Sequence, residues 1–128
     1  MLAANDPRAA YRQSNFDARV NGGTPQDIVV YCLDELSLTL GQLRQADMRG
    51  NRAGRSDAIT RGIAILTALE MGVDRETELA ASLLHFYEGS RRLLLSSVAT
   101  TQVEAIEALR SDVIEIRDAL ALARTLPN

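Results

Sequence analysis

The side chains that most often carry out chemistry in proteins are scarce in this sequence. It has one histidine, His85, one cysteine, Cys32, and no lysine, because arginine supplies all 14 basic residues. The lack of lysine excludes Schiff-base chemistry and a P-loop lysine. A single cysteine excludes a disulfide framework and a cysteine-based zinc site within one chain. We therefore expect a binding protein and not an enzyme, with no catalytic residue and no cofactor.

His85 is the one residue whose surroundings suggest a specific reaction. Histidine phosphotransfer domains are four-helix bundles in which an exposed histidine is followed by a lysine and a glycine. Gly89 fits this pattern, but Glu88 stands where the lysine would be, and its carboxylate would repel a phosphoryl group. The sequence favours an ordinary, partly packed helix residue at His85 and leaves phosphotransfer as the last-ranked alternative.

The acidic residues and the cysteine give only a weak metal signal. A group of four carboxylates surrounds one predicted turn: Glu70, Asp74, Glu76 and Glu78. A zinc site needs three or four ligands together, and a ferritin-like di-iron site needs two Glu-x-x-His pairs, which a single histidine cannot supply. We expect no metal, and we expect Cys32 to fill space in the core because it lies on an apolar stripe.

Length and charge exclude several classes of function. The chain has 128 residues, enough for one domain, and a net charge of −3. An acidic chain does not favour nucleic-acid binding, so the basic clusters at 49–55 and 91–92 are interpreted as solvated surface. The apolar runs are too short to cross a membrane, and the N-terminus lacks the apolar stretch of a secretory signal. These features predict a cytoplasmic protein without membrane insertion.

The hydrophobic pattern predicts an all-α, antiparallel four-helix bundle over residues 24–126. Thr24 and Pro25 are typical of a helix start, and the first helix should end near Gly50. Further helices are predicted from about 51 or 56 to 71, from about 77 to 97, and from a capping box at Thr101 and Glu104 to Pro127. The first predicted core stripe contains Ile28, Val29, Cys32, Leu33, Leu36, Leu40 and Leu43.

Some apolar residues lie outside the stripes that a bundle core would use. Tyr31 and Leu38 share another side of the first helix, and Val103 and Ile114 share a second ridge on the fourth. The third helix, which carries Tyr87, is apolar over more than half its circumference. One interpretation is ordinary exposure on central helices. The other is a groove for a partner's amphipathic helix, with these five residues as the client-binding set.

Residues 1–23 form a polar segment that predicts a loosely structured arm or a short helix. The segment contains Tyr11, Phe16 and Val20. It has too few apolar groups for a core of its own, so its ordering would require docking on the bundle. These three residues are therefore predicted either to pack permanently on the bundle or to form a cap over the client groove.

The ordered set of these features resembles the flagellar secretion chaperone FliS family over nearly the whole chain. The resemblance includes an Ala-Tyr pair in the arm, a Thr-Pro helix start and a Leu-Tyr-Asp-Gly-like segment. The matching segments are Ala10-Tyr11, Thr24-Pro25, Ile28-Val29, Tyr31–Asp34, Ile65, Leu69, Val73-Asp74, Glu78–Tyr87, Arg92 and Leu94-Leu95. The chain departs from the pattern at Glu35, Ser82 and Gly89 and lacks a Gly-Gly pair before the third helix. These departures indicate a divergent member or a different client.

The resemblance implies a cytoplasmic, non-catalytic chaperone. It would bind the disordered C-terminal segment of flagellin as a 1:1 complex, prevent premature polymerisation and keep the subunit export-competent. It also implies a capping role for Tyr11 and brings in the flagellar export gate as a further partner. The alternative is a helical adaptor or regulator whose client is not flagellin.

Overall fold

Four helices account for most of the part of the chain that the structure describes. The computed structural model describes residues 25–125, which form α1 (Pro25–Met48), α2 (Arg52–Met71), α3 (Ala80–Ser96) and α4 (Val103–Thr125). No strand occurs between residues 25 and 125, which confirms the all-α prediction. The predictions for residues 1–23, for the cap at Thr24 and for the stop at Pro127 lie outside the described residues.

The helices pack so that α1 has two close neighbours. It packs against α2 and α4. The α3 helix packs mainly against α2 and makes only a few contacts with α4. Asp34 pairs with Arg117 at 2.6 Å between Oδ1 and Nε, and Arg44 approaches Glu107 at 3.5 Å. Residue numbers rise along α1 while their partners' numbers fall along α4, so these two helices are antiparallel.

The core is built from leucines at helical spacing and one buried tyrosine. A single buried cluster joins all four helices: Leu33, Leu36, Leu40, Leu43, Ala58, Ile59, Leu66, Leu69, Tyr87, Leu94, Ile106, Leu109 and Val113. The predicted stripe of α1 is confirmed from Leu33 onward. Its start differs, because Val30 is buried whereas Val29 and Cys32 are only half-buried against the cluster.

The turn between α1 and α2 follows from two residues. Gly50 has φ of +65°, a left-handed conformation that glycine adopts without a steric cost. The Gly50 and Asn51 N–H groups donate to the carbonyls of Asp47 and Ala46, which closes α1 as a Schellman motif. The Asn51 side chain then accepts the Gly54 N–H at 2.9 Å and caps α2.

Small residues bring α2 and α3 close together. A Cβ atom added to Gly62 would lie only 2.7 Å from Leu94 Cδ1, so glycine is what the close approach requires. Ser90 is buried on the facing side of α3, and its hydroxyl donates to the Phe86 carbonyl at 2.7 Å within the same helix. The hydroxyl is thereby satisfied without a partner on another helix.

Two helix starts differ from the sequence prediction. The Asp74 carboxylate accepts the Glu76 N–H, and the Asp74 carbonyl accepts the Thr77 N–H and hydroxyl. These local bonds compete with helix formation, so α3 begins at Ala80 and not near Thr77. The Thr101 hydroxyl accepts a bond from Arg55, and α4 begins at Val103.

Candidate functional site

Two large apolar side chains stand exposed at the same level of α1 and α4. Leu38 is 52% exposed and Ile114 is 36% exposed. Arg110 Nε donates to the Ser37 carbonyl at 3.3 Å, and Arg117 pairs with Asp34 at 2.6 Å. Ser37 immediately precedes Leu38, and Arg110 and Arg117 lie about one turn before and one turn after Ile114, so both side chains lie along the seam between α1 and α4.

Tyr31 and Val103 extend this seam toward the two ends of the bundle. Tyr31 precedes Leu38 by seven residues and Val103 precedes Ile114 by eleven, spacings that return to the same face of a helix. Both side chains are half-buried. We refer to the surface formed by Tyr31, Leu38, Val103 and Ile114 as the α1–α4 face.

Tyr87 does not lie on this surface, and its placement corrects the predicted client-binding set. Only 2% of the residue is exposed, and it belongs to the buried cluster. Its ring packs edge-on against Phe86, with centroids 5.9 Å apart. Burial also raises the pKa of the Tyr87 hydroxyl. The broad apolar surface of α3 had suggested an exposed site, but α3 turns this residue inward.

Arginines on α4 connect the α1–α4 face to α1. Arg117 is held by Asp118 and Asp34, and the hydrogen bonds to these two carboxylates raise its pKa above the usual arginine value. Arg110 crosses α1 at Gly41, where an added Cβ atom would lie 3.4 Å from Arg110 Nε. The Arg110 guanidinium group therefore lies over α1 at Gly41.

An open groove adjoins the α1–α4 face on the α2 side. Its volume is about 730 Å³, and residues of α1, α2 and α4 contribute to its walls. Leu38 belongs to both surfaces. We call this the α1–α2 groove, and its lining residues used below are Leu38, Gly41, Ala46, Arg49, Asp57, Ala58, Arg61 and Arg110.

His85 and Cys32, the two residues with the most reactive side chains, are not part of these surfaces. His85 is exposed on α3, three residues before Glu88. Cys32 is half-buried, and burial followed by the nearby Glu35 charge raises the pKa of its thiol, which keeps it protonated. Within residues 25–125, no three His, Cys, Asp or Glu side chains form a possible metal site. None of the described helices has the length and hydropathy needed to cross a bilayer.

The α1–α2 groove was missed by sequence reasoning for a physical reason. Its arginines come from two helices and from the turn between α1 and α2, and Arg110 lies about sixty positions after Arg49 in the chain. The sequence shows a basic cluster near 49–55 but gives no sign that a residue of α4 completes it. Gly41 was the available signal, since a glycine inside a strongly helical stretch often marks a close approach.

The fold and this surface are typical of one class of protein. A helical bundle with exposed apolar residues beside an arginine-lined groove has the features of a protein-interaction domain. The sequence model of the family described as Flagellar protein FliS matches residues 7–125, and the chain belongs to that family. Members of this family are flagellar export chaperones and not enzymes. No curated protein sequence matches the chain.

Proposed function

We propose that this protein binds the disordered C-terminal segment of flagellin in a 1:1 complex on the α1–α4 face. The family match over residues 7–125 carries the proposal. The paired exposure of Leu38 and Ile114 supports the choice of surface. Bound in this way, the flagellin segment would be withheld from premature polymerisation and kept competent for export.

The proposed binding mode is a helix lying along a groove. An amphipathic segment would place apolar side chains at i, i+3, i+4 and i+7 over Leu38, Ile114 and their half-buried neighbours. Ordering a disordered segment costs roughly 2–5 kcal/mol, which lowers the affinity and makes release easier. The complex would form in the cytoplasm, and contact with the flagellar export gate would follow there.

Exchange of either exposed anchor for aspartate tests the surface. We expect Leu38→Asp and Ile114→Asp each to weaken binding of a flagellin C-terminal segment by about tenfold, because a carboxylate replaces buried apolar contact. Titration calorimetry of the unmodified protein should give one site and a negative heat-capacity change, which marks apolar burial. Circular dichroism should show unchanged helicity in both variants.

Leu95 offers a matched control for this measurement. It is 52% exposed, the same fraction as Leu38, but lies on α3. Leu95→Asp should leave the affinity unchanged. An equal loss in the control would move the site away from the α1–α4 face. Failure of every flagellin from the same genome to bind would contradict the flagellin proposal and favour an adaptor with another client.

A further inference from the structure

The three arginines around the α1–α2 groove lack the carboxylate partners that three other arginines of the bundle have. Arg44, Arg91 and Arg117 approach Glu107, Glu70 and Asp34, respectively. In contrast, Arg49, Arg61 and Arg110 form no ion pair with any residue between 25 and 125.

Two of the groove arginines, Arg61 and Arg110, form hydrogen bonds, and both bonds are to uncharged groups. Arg61 Nη1 donates to Gln42 Oε1 at 2.6 Å, and Arg110 Nε donates to the Ser37 carbonyl at 3.3 Å. Neither partner neutralises a guanidinium charge. Each arginine therefore retains a full positive charge and further N–H donors for a carboxylate.

The local charge of the groove opposes that of the whole chain. Three arginines and one aspartate, Asp57, line it, which leaves an excess of two positive charges in a chain whose net charge is −3. Opposite charges across an interface favour encounter and set register. A partner segment that is rich in carboxylates would complement this groove.

Between the arginines, the groove presents small and apolar groups. Gly41, Ala46 and Ala58 line it beside the exposed Leu38. Such a floor accommodates the apolar side chains of a close-lying segment, while the arginines meet charged side chains at its edges. This arrangement suits aliphatic residues flanked by glutamate or aspartate.

The N-terminal residues of this chain have the wrong charge for the groove. Residues 1–23 contain three arginines, Arg8, Arg12 and Arg19, against two aspartates, Asp6 and Asp17. Their net charge is thus +1. Charge complementarity therefore favours a segment from another protein.

We infer that the α1–α2 groove binds an acidic stretch of the client, continuous with the client residues that cover the α1–α4 face. This inference rests on the proposed function, because Leu38 joins the two surfaces. The acidic stretch supplies carboxylates to Arg49, Arg61 and Arg110 and thereby fixes the direction in which the client lies.

The inference is tested with synthetic helical peptides of one length. All carry the same leucine face, and the flanking positions hold glutamate, glutamine or lysine. We expect the glutamate peptide to bind about tenfold more tightly than the glutamine peptide at low salt and the lysine peptide to bind least. High salt should remove most of this difference. Equal binding of the glutamate and glutamine peptides would overturn the inference.

A charge-reversed variant locates the effect. Arg49→Glu with Arg61→Glu should reduce glutamate-peptide affinity about tenfold and reverse its salt dependence, because the groove then carries an excess of negative charge whose repulsion salt screens. Arg75→Glu with Arg92→Glu changes the total charge equally at two other exposed sites and should leave the affinity near that of the unmodified protein. An equal loss in the control would show a general charge effect and would overturn the inference. If the reversed variant loses helicity, Arg49→Gln with Arg61→Gln replaces it.

Two further measurements separate this inference from the proposed function. If a flagellin C-terminal segment binds but is unaffected by Arg49→Glu with Arg61→Glu, the flagellin proposal stands and the groove inference fails. If no flagellin binds while the glutamate peptide shows the charge pattern, the flagellin proposal fails and the groove chemistry stands for another client. Self-association abolished by the reversed variant would make the occupant a second copy and overturn the inference.

Discussion

Leu38 and Tyr87 show how a single residue's role depends on the rotation of its helix. Both were predicted to contact a client, yet Leu38 is 52% exposed and Tyr87 only 2%. A fully buried aromatic residue contributes several kcal/mol to stability, of the order lost when Phe or Trp is replaced by Ala. Tyr87 therefore supports the bundle, and the proposed client surface retains Tyr31, Leu38, Val103 and Ile114.

The reactivity expected of His85 depends on one neighbouring residue, Glu88. It is exposed on α3, and Glu88 follows three residues later on the same side of the helix. A phosphoryl group on this imidazole would meet a carboxylate where a lysine would be needed. We expect no acid-labile phosphate on the protein after incubation with acetyl phosphate or phosphorylated response regulators.

The measurement is direct detection of phosphohistidine, with a known phosphotransfer domain as the positive control. The His85→Gln variant should be indistinguishable from the unmodified protein. Label that appears on the unmodified protein and disappears in His85→Gln would instead establish phosphotransfer.

At the scale of helices, Arg55 joins elements that are distant in sequence. It lies in the first turns of α2 and donates to the carbonyls of Ser97 and Val98, the latter at 3.1 Å. It also donates to Thr101 Oγ1 at 3.2 Å. A guanidinium at the C-terminal end of α3 satisfies carbonyls that no longer have helical partners and complements the helix dipole.

Loss of this connection should destabilise the whole bundle. We expect Arg55→Ala to lower the free energy of unfolding by about 1–3 kcal/mol, because charge-assisted hydrogen bonds are removed and carbonyls lose their partner. Urea denaturation followed by circular dichroism measures the change. Arg52→Ala is the control, since the Arg52 side chain is exposed and forms no hydrogen bond or ion pair within residues 25–125. Equal stability of the two variants would contradict the proposed role of Arg55.

At the scale of the whole molecule, the four helices are not packed equally closely against one another. α1 packs closely on two helices, whereas α3 and α4 contact each other sparsely. Half-buried side chains of both helices pack against the core, among them Phe86, Leu93, Ile116 and Leu120. Such a bundle has more apolar surface near solvent than its core requires, and covering that surface would reduce self-association.

We propose that residues 1–23 cover part of the client surface when no client is bound, through Tyr11, Phe16 and Val20. Deletion of residues 1–19 should tighten flagellin binding or speed association, because the client no longer displaces a competing segment. Calorimetry and stopped-flow fluorescence measure these effects, and sedimentation should show more self-association of the free protein. Weaker binding, or loss of the thermal unfolding transition, would instead place the segment in the client site or the core.

Much of the fold could be predicted from the sequence because helix formation is governed by nearby residues. Leucines at three- and four-residue spacing define the core stripe from Leu33 to Leu43, and Gly50 with Asn51 marks the turn into α2. The start of α3 was misplaced by three residues because Asp74 engages Glu76 and Thr77 in local bonds. Such competing bonds depend on backbone geometry that periodicity does not specify.

The candidate site was only partly predictable, since it depends on how whole helices rotate and meet. The sequence alone determined an all-α chain without lysine and with surplus apolar residues, including Leu38 and Ile114. Only the tertiary structure decided that these two share a seam, that Tyr87 turns inward, and that Arg110 crosses Gly41 to complete a basic groove with Arg49. The physical reason is that helix packing joins residues far apart in the chain, and it depends on the fit of side chains from several elements at once.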